Sequence, residues 1–133
     1  MQEDVVNNGE VARPLIAAVD DDFRVRESIE SLLESAGYSP ALFSSAEEFL
    51  SSGTLAHAAC VITDVRMPGM DGIELQRRIG AEQPGLAVIF ISAHVNAETR
   101  LVALREGAYE FLYKPFDAAE LLKVVQAALG ESR

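Results

Sequence analysis

Short, uninterrupted apolar runs alternate along this chain with helix-length amphipathic patterns, and few architectures satisfy both. Leu15-Ile16-Ala17-Ala18-Val19, Cys60-Val61-Ile62 and Leu86-Ala87-Val88-Ile89-Phe90-Ile91 are far shorter than a membrane span. They are also too continuous for strands with one wet face. A run apolar at every position fits a parallel strand covered by helices on both sides. Two further strands are expected at residues 38–43 and 109–113. The first holds Pro40 and the second alternates around Glu110, which points to sheet edges.

Between these runs lie five helical patterns. Val25, Ile29, Leu32, Leu33 and Ala36 share one face of a helix that Gly37 can end. Ser45 with Glu48, Asp71 with Glu74 and Asp117 with Glu120 have the spacing of capping boxes. Asn96 can cap a helix whose expected apolar face is Ala97, Leu101, Leu104 and Ala108; the last helix should turn Leu121, Val125 and Ala128 inward. Strict alternation of strand and helix implies an α/β fold: a doubly wound, five-stranded parallel sheet with five helices. The flavodoxin-like strand order 2-1-3-4-5 places the three apolar strands centrally. Right-handed crossovers then bring the C-terminal ends of all strands to one rim, where such sheets bind ligands.

At 133 residues the chain suits one domain, expected over residues 14–130, with a flexible polar lead at 1–13 and a tail at 131–133. Lys and Arg number 11 against 21 Asp and Glu, a formal charge of −10. That balance argues against gripping a nucleic-acid backbone or an anionic membrane, and it suits a divalent cation or a basic partner. The single cysteine, Cys60, lies in an apolar run and reads as a small buried filler; no disulfide framework is possible. The polar N-terminus does not resemble a signal peptide, so the expected setting is the cytoplasm.

The first strand delivers Asp20, Asp21 and Asp22 to the rim, the third Asp64, the fourth Ser92 and the fifth Lys114. Asp22 reads as the cap of the first helix. Taken singly, each of the others could be a solvated acid, a turn serine or a surface lysine; their convergence is the signal. Two carboxylates ~4 Å apart repel by about 4 kcal/mol at an effective dielectric near 20. A hard cation with oxygen ligands relieves this, and Mg²⁺ is the natural candidate. A carboxylate can also attack phosphorus, with a hydroxyl and an ammonium holding the phosphoryl oxygens. No glycine-rich loop or G-K-[ST] element offers a cradle for a nucleotide, so the site suits a single phosphoryl group.

These residues resemble the receiver domain of two-component response regulators. Thr63-Asp64-Val65-Arg66-Met67-Pro68-Gly69-Met70-Asp71-Gly72 is similar to its phosphoacceptor loop, and Val19-Asp20-Asp21 to its acidic pair. Ile91-Ser92-Ala93 is similar to its switch hydroxyl segment and Lys114-Pro115-Phe116 to its lysine motif. Val25-Arg26-Glu27-Ser28 and Lys114-Pro115-Phe116 are similar to receivers of the nitrogen-fixation regulator (FixJ) type. The resemblance implies that Asp64 accepts phosphate from a sensor histidine kinase. It implies Mg²⁺ on Asp21, Asp64 and the backbone carbonyl of Arg66, with Asp20 contacting it through water. Ser92 and Lys114 would then hold phosphoryl oxygens. Phe111 would be either the aromatic that swings inward or a plain core ring. Arg66 and His94 would tune an attacking water or merely face solvent, and Ala93 would leave room for the phosphoryl group. The implied readout is the surface of the fourth helix (97–106), fifth strand (109–113) and fifth helix (from 118), read by a partner, an output domain or a second copy. The Lys114-Pro115 bond would be cis.

Two other readings compete. Asp20-Asp21-Asp22 has the D-x-D spacing of a haloacid-dehalogenase-like phosphatase, although Arg24 stands where a Thr or Val is wanted and no late acidic pair follows Lys114. A degenerate receiver acting only as an interaction module would lack the metal function.

Overall fold

The apolar runs fold as strands and the patterns between them as helices over residues 13–131, the part of the chain that the computed structural model describes. In order these are β1 (Leu15–Val19), α1 (Phe23–Ser35), β2 (Ser39–Phe43), α2 (Ala46–Ser51), a 3-10 turn (Thr54–Ala56), β3 (Cys60–Thr63), α3 (Gly72–Glu82), β4 (Ala87–Ser92), α4 (Ala97–Arg105), β5 (Glu110–Tyr113) and α5 (Ala118–Ala128). The five strands are parallel in the order β2-β1-β3-β4-β5, with β2 and β5 at the edges as expected. Residues 1–12 and 132–133, most of the expected lead and tail, lie outside the described residues.

Successive strand residues feed opposite cores, as the two-residue period of a strand requires. Ala17, Val19, Val61, Val88, Phe90 and Phe111 pack with Phe49 of α2 and with Leu75 and Ile79 of α3. Ile16, Ala18, Cys60, Ile62, Ile89, Ile91 and Leu112 pack with Ile29 and Leu33 of α1 and with Leu121 and Val125 of α5. Cys60 is fully buried, and burial pushes its thiol up to about 12, so it is inert filler. Register aligns the strand ends: Val19 pairs with Thr63, Thr63 with Phe90 and Ser92 with Tyr113. The polar residues that follow therefore meet on one rim.

Each expected cap is present. Asp22, Ser45, Asp71, Asn96 and Asp117 all accept first-turn backbone N–H bonds through their side chains. The capping boxes are half-made. Glu48 reaches back to Ser44, one residue before the cap, and Glu74 turns toward Arg77 and Arg78. The predicted inward face of α4 needs correction. Ala97 and Leu101 are exposed, and Ala103 is the fully buried residue of that helix. Leu104, Val95 and Ala108 pack only partly against the core. The small Ala103 side chain is what turns toward the cluster holding Phe90 and Phe111, which leaves Leu101 outside.

Candidate functional site

The rim opens with Asp20, fully buried because β1 runs straight into it between β2 and β3. Its Oδ1 accepts from Asp22 N (2.9 Å), and its carbonyl accepts from Arg26 Nη1 (2.7 Å). The Arg26 guanidinium also lies 5.7 Å from the centre of the Phe23 ring. Asp22 Oδ1 caps α1 by accepting from Arg24 N (2.9 Å). The second acid of the D-x-D spacing is therefore engaged by the backbone, which counts against a two-carboxylate phosphatase arrangement.

Asp64 follows β3 and is held by four donors. Its Oδ1 accepts from Val65 N (2.7 Å), Arg66 N (3.3 Å) and Ser92 Oγ (3.0 Å), and its Oδ2 accepts from Lys114 Nζ (2.9 Å). Lys114 Nζ also lies 2.8 Å from Asp20 Oδ2. Lys114 therefore pairs with both acids, at once the hydrogen-bond donor to Asp64 Oδ2 and the ion-pair partner of the buried Asp20 Oδ2. Burial raises the Asp20 carboxyl above its usual range, and nearby Asp64 adds to this; Lys114 and the Asp22 N–H offset part of the rise. Burial by itself would lower the Lys114 ammonium, but its contacts with Asp20 and Asp64 prevail and the net shift is upward.

Asp20, the exposed Asp21 and Asp64 each offer a carboxylate oxygen, all within 4.8 Å of one another. One ammonium pairs with two of these three carboxylates, which leaves the set net negative. An all-oxygen, net-negative set of this kind fits a hard divalent cation such as Mg²⁺.

The loop after Asp64 is built to sit close. Gly72 opens α3 directly against the Asp64 backbone, and a Cβ there would collide with the Asp64 carbonyl oxygen. Gly69 takes φ +78, and a Cβ on it would lie 2.6 Å from Glu47 Oε2. That same carboxylate oxygen accepts from Met70 N (2.8 Å), while Met67 anchors the loop in the core. The tethering roles of Glu47 and Arg26, which fasten the two loops of the site, carried no signal in the sequence, since each lies among other charged residues on a solvated helix.

The remaining expected residues are placed as follows. Ser92 is buried and bonded to Asp64, and the Lys114-Pro115 bond is cis. Ala93 and His94 are exposed and line a groove of about 700 Å³ with Val25, Lys114, Pro115 and Phe116. Arg66 is exposed and bridges to the far side of the mouth, its Nε donating to the His94 carbonyl (3.0 Å). Phe111 is buried below the site with its ring 5.7 Å from that of Phe90, a core position in this structure. His57 ends the 3-10 turn and is not among the site residues.

The family model described as a response regulator receiver domain matches residues 16–126. The transcriptional regulatory protein FixJ of Azorhizobium caulinodans is 41% identical over 117 residues, covering 88% of this chain and 56% of that protein. The response regulator protein TodT of Pseudomonas putida is 40% identical over 115 residues, covering 86% and 51% respectively. A crystal structure of a response regulator receiver domain protein from Clostridium thermocellum superposes with a TM-score of 0.83 at 31% identity, covering 88% of this chain and 94% of that one. The chain spans about half the length of these two curated relatives.

Proposed function

The chain belongs to the response regulator receiver family, a family of signalling switches in two-component systems, and from that premise we propose that Asp64 is its phosphoryl acceptor. A carboxylate oxygen of Asp64 attacks the phosphorus of a phosphohistidine on a sensor histidine kinase. The O–P bond forms, the P–N bond breaks, and its electron pair leaves with the imidazole nitrogen. The observation that carries this reading is the division of Asp64: one oxygen is fixed by two backbone N–H groups and Ser92, the other is turned to Lys114. That arrangement pre-orients the nucleophile.

Asp21, Asp64 and the Arg66 carbonyl, with Asp20 through water, would hold Mg²⁺, which when bound supplies positive charge against the phosphoryl oxygens. After transfer, Lys114 and Ser92 keep their partners by exchanging the carboxylate for phosphoryl oxygens, and Ala93 leaves space for the group. Arg66 and His94, joined across the mouth, govern how water reaches the acyl phosphate. The new Ser92 contact favours one arrangement of β4, α4 and β5, with Phe111 as the ring that follows the hydroxyl.

The surface that changes is α4-β5-α5. Leu101, Tyr109 and Tyr113 are all more than two-fifths exposed there, an apolar cost that a partner or a second copy would recover. For the whole protein we extend this to control of transcription, the role printed in the names of the FixJ relatives, with kinase and regulator meeting in the cytoplasm. Among the described residues no helix is long and apolar enough to cross a membrane.

The test is Mg²⁺ with acetyl phosphate followed by intact mass. One phosphoryl group should appear on the native chain and none on Asp64→Asn. Gain on Asp64→Asn, or repeated turnover of an aryl phosphate that depends on Asp20, would refute the assignment.

A further inference from the structure

Gln76 is a polar residue on the inward stripe of α3, between Leu75 and Ile79, and it is 5% exposed. Its Nε2 donates to the carbonyl of Ala103 (2.9 Å), the one fully buried residue of α4. That carbonyl is already part of the α4 terminus, where Ala108 N donates to it (3.0 Å) and Gly107 N to Leu104 O (3.1 Å), with Gly107 at φ +104. A carbonyl only accepts, so the amide orientation of Gln76 is fixed. Its Oε1 is then left buried with no partner among the described residues. An apolar residue of similar length would avoid that penalty, so packing alone does not account for Gln76.

The next residue grips the same turn. Arg77 Nε and Nη2 donate to Glu106 Oε1 (2.9 Å) and Oε2 (3.1 Å). The opposite end of α4 has no comparable hold. Ala93, His94, Asn96 and Ala97 are exposed, Val95 packs only partly against the core, and among the described residues the one side-chain bridge to that segment is the exposed Arg66 on the His94 carbonyl. Between the ends, apolar anchorage is thin because the buried side chain is an alanine.

We propose that Gln76, helped by Arg77, is a positioning residue that pins the C-terminal turn of α4 to α3, so that α4 moves as a lever about that turn with its N-terminal end the more weakly held and the freer to move. The pin is a property of the unmodified protein; its use in signalling rests on the phosphorylation reading above. Motion at Ser92 would be delivered to the freer end through the 93–96 segment. The C-terminal turn would hold β5 in register, since Tyr109 N donates to Val88 O (2.8 Å) immediately after it.

Hydrogen exchange on the full chain tests the pin without any phosphodonor. In Gln76→Met, which fills the site and removes the orphaned carbonyl, the melting temperature should hold or rise. The amides of 102–108 should exchange about tenfold faster, with α1 and α5 unchanged. Arg77→Gln, which leaves the core intact, should give a smaller rise of about two- to threefold in the same turn. Unchanged protection of 102–108 in both folded variants would overturn the pin. So would a fall in melting temperature with faster exchange throughout, which would make Gln76 a packing residue. With Mg²⁺ and acetyl phosphate, exchange in the native chain should change over 93–99 and not over 103–108, whereas in Gln76→Met the change should spread along α4. Equal change at both ends of the native helix overturns the lever; absence of any mass gain overturns the phosphorylation reading and leaves the donor-free result standing.

Discussion

Lys114 Nζ lies 2.9 Å from Asp64 Oδ2, and the same ammonium lies 2.8 Å from the fully buried Asp20, so a single cation holds two acids from different strands. Lys114→Met should leave both carboxylates facing each other without compensation. Breaking a buried ion pair by removing one partner costs roughly 3–5 kcal/mol; here about 2–3 is expected, because Lys114 is partly exposed and a carboxylate can take up a proton. Mg²⁺ restores positive charge at the same place, so the gap from the native chain should narrow when it is added. Urea unfolding with and without the cation reads this. An equal loss in both conditions would mean that Lys114 does not compensate these acids.

Asp20 sets a pH dependence. Burial raises its carboxyl above the usual 3.8, so the folded chain holds that proton more tightly than the unfolded chain does. Its contribution is therefore most favourable at low pH and becomes a cost as pH rises from the ordinary range through the raised folded value, with the full cost present at neutrality. Asp20→Asn should raise the melting temperature at neutral pH by a few degrees and flatten the slope across that window. Lys114 works the other way: its raised ammonium stabilises the fold below 10.5, and that stabilisation is lost as pH rises through its folded value. Thermal melts from about pH 4 to 8 isolate the Asp20 window. A lower melting temperature for Asp20→Asn at neutral pH would reverse the sign.

The sheet was legible because β1, β3 and β4 are buried on both faces, which forces apolar residues at successive positions and leaves a pattern no half-exposed strand has. The rim was legible because Asp20, Asp64, Ser92 and Lys114 each stand directly after a strand. α4 was misread for a physical reason. Leu101, Val102, Ala103 and Leu104 are consecutive apolar residues, so periodicity cannot decide which faces inward, and a small residue was chosen by the space above Phe90 and Phe111. Gln76 left a trace that can be read in retrospect: a polar residue four after Gly72 and three before Ile79, on the stripe that should be apolar. The contacts of Arg26 with the Asp20 carbonyl and of Glu47 with the Met70 amide left none, because backbone atoms carry no side-chain signature.

Gly72 should tolerate no side chain. A Cβ there meets the Asp64 carbonyl oxygen and comes within 3.0 Å of both the Phe90 ring and Val65 Cα, and two of these three neighbours are backbone that cannot rotate away. Gly72→Ala should destabilise by about 1–3 kcal/mol, the range for overpacking a filled core. It should also weaken Mg²⁺ affinity by displacing Asp64. Gly80 is the control, since open space surrounds it and alanine is the better helix former. Calorimetric titration with Mg²⁺ beside a denaturation curve separates the two effects; native affinity in Gly72→Ala would show that the close approach does not set the position of Asp64.

Substitution of Ser92 should separate acceptance of the phosphoryl group from response to it. Its hydroxyl is one of three donors to Asp64 Oδ1, and Ser92→Ala leaves the Val65 and Arg66 amides in place. The unmodified variant should therefore lose only about 1 kcal/mol, the net worth of one hydrogen bond whose acceptor stays satisfied. Lys114 and the acidic set are untouched, so acetyl phosphate should still add one phosphoryl group, seen by intact mass. The hydroxyl proposed to couple the group to β4 is gone, however, and the exchange change over 93–99 should be largely lost. Ser92→Thr retains the donor and should keep the response, with a small stability cost from a methyl placed in a site that is 1% exposed. If Ser92→Ala is phosphorylated and still shows the native exchange change, the signal leaves Asp64 by another route, with the Lys114 side of the site as the remaining candidate.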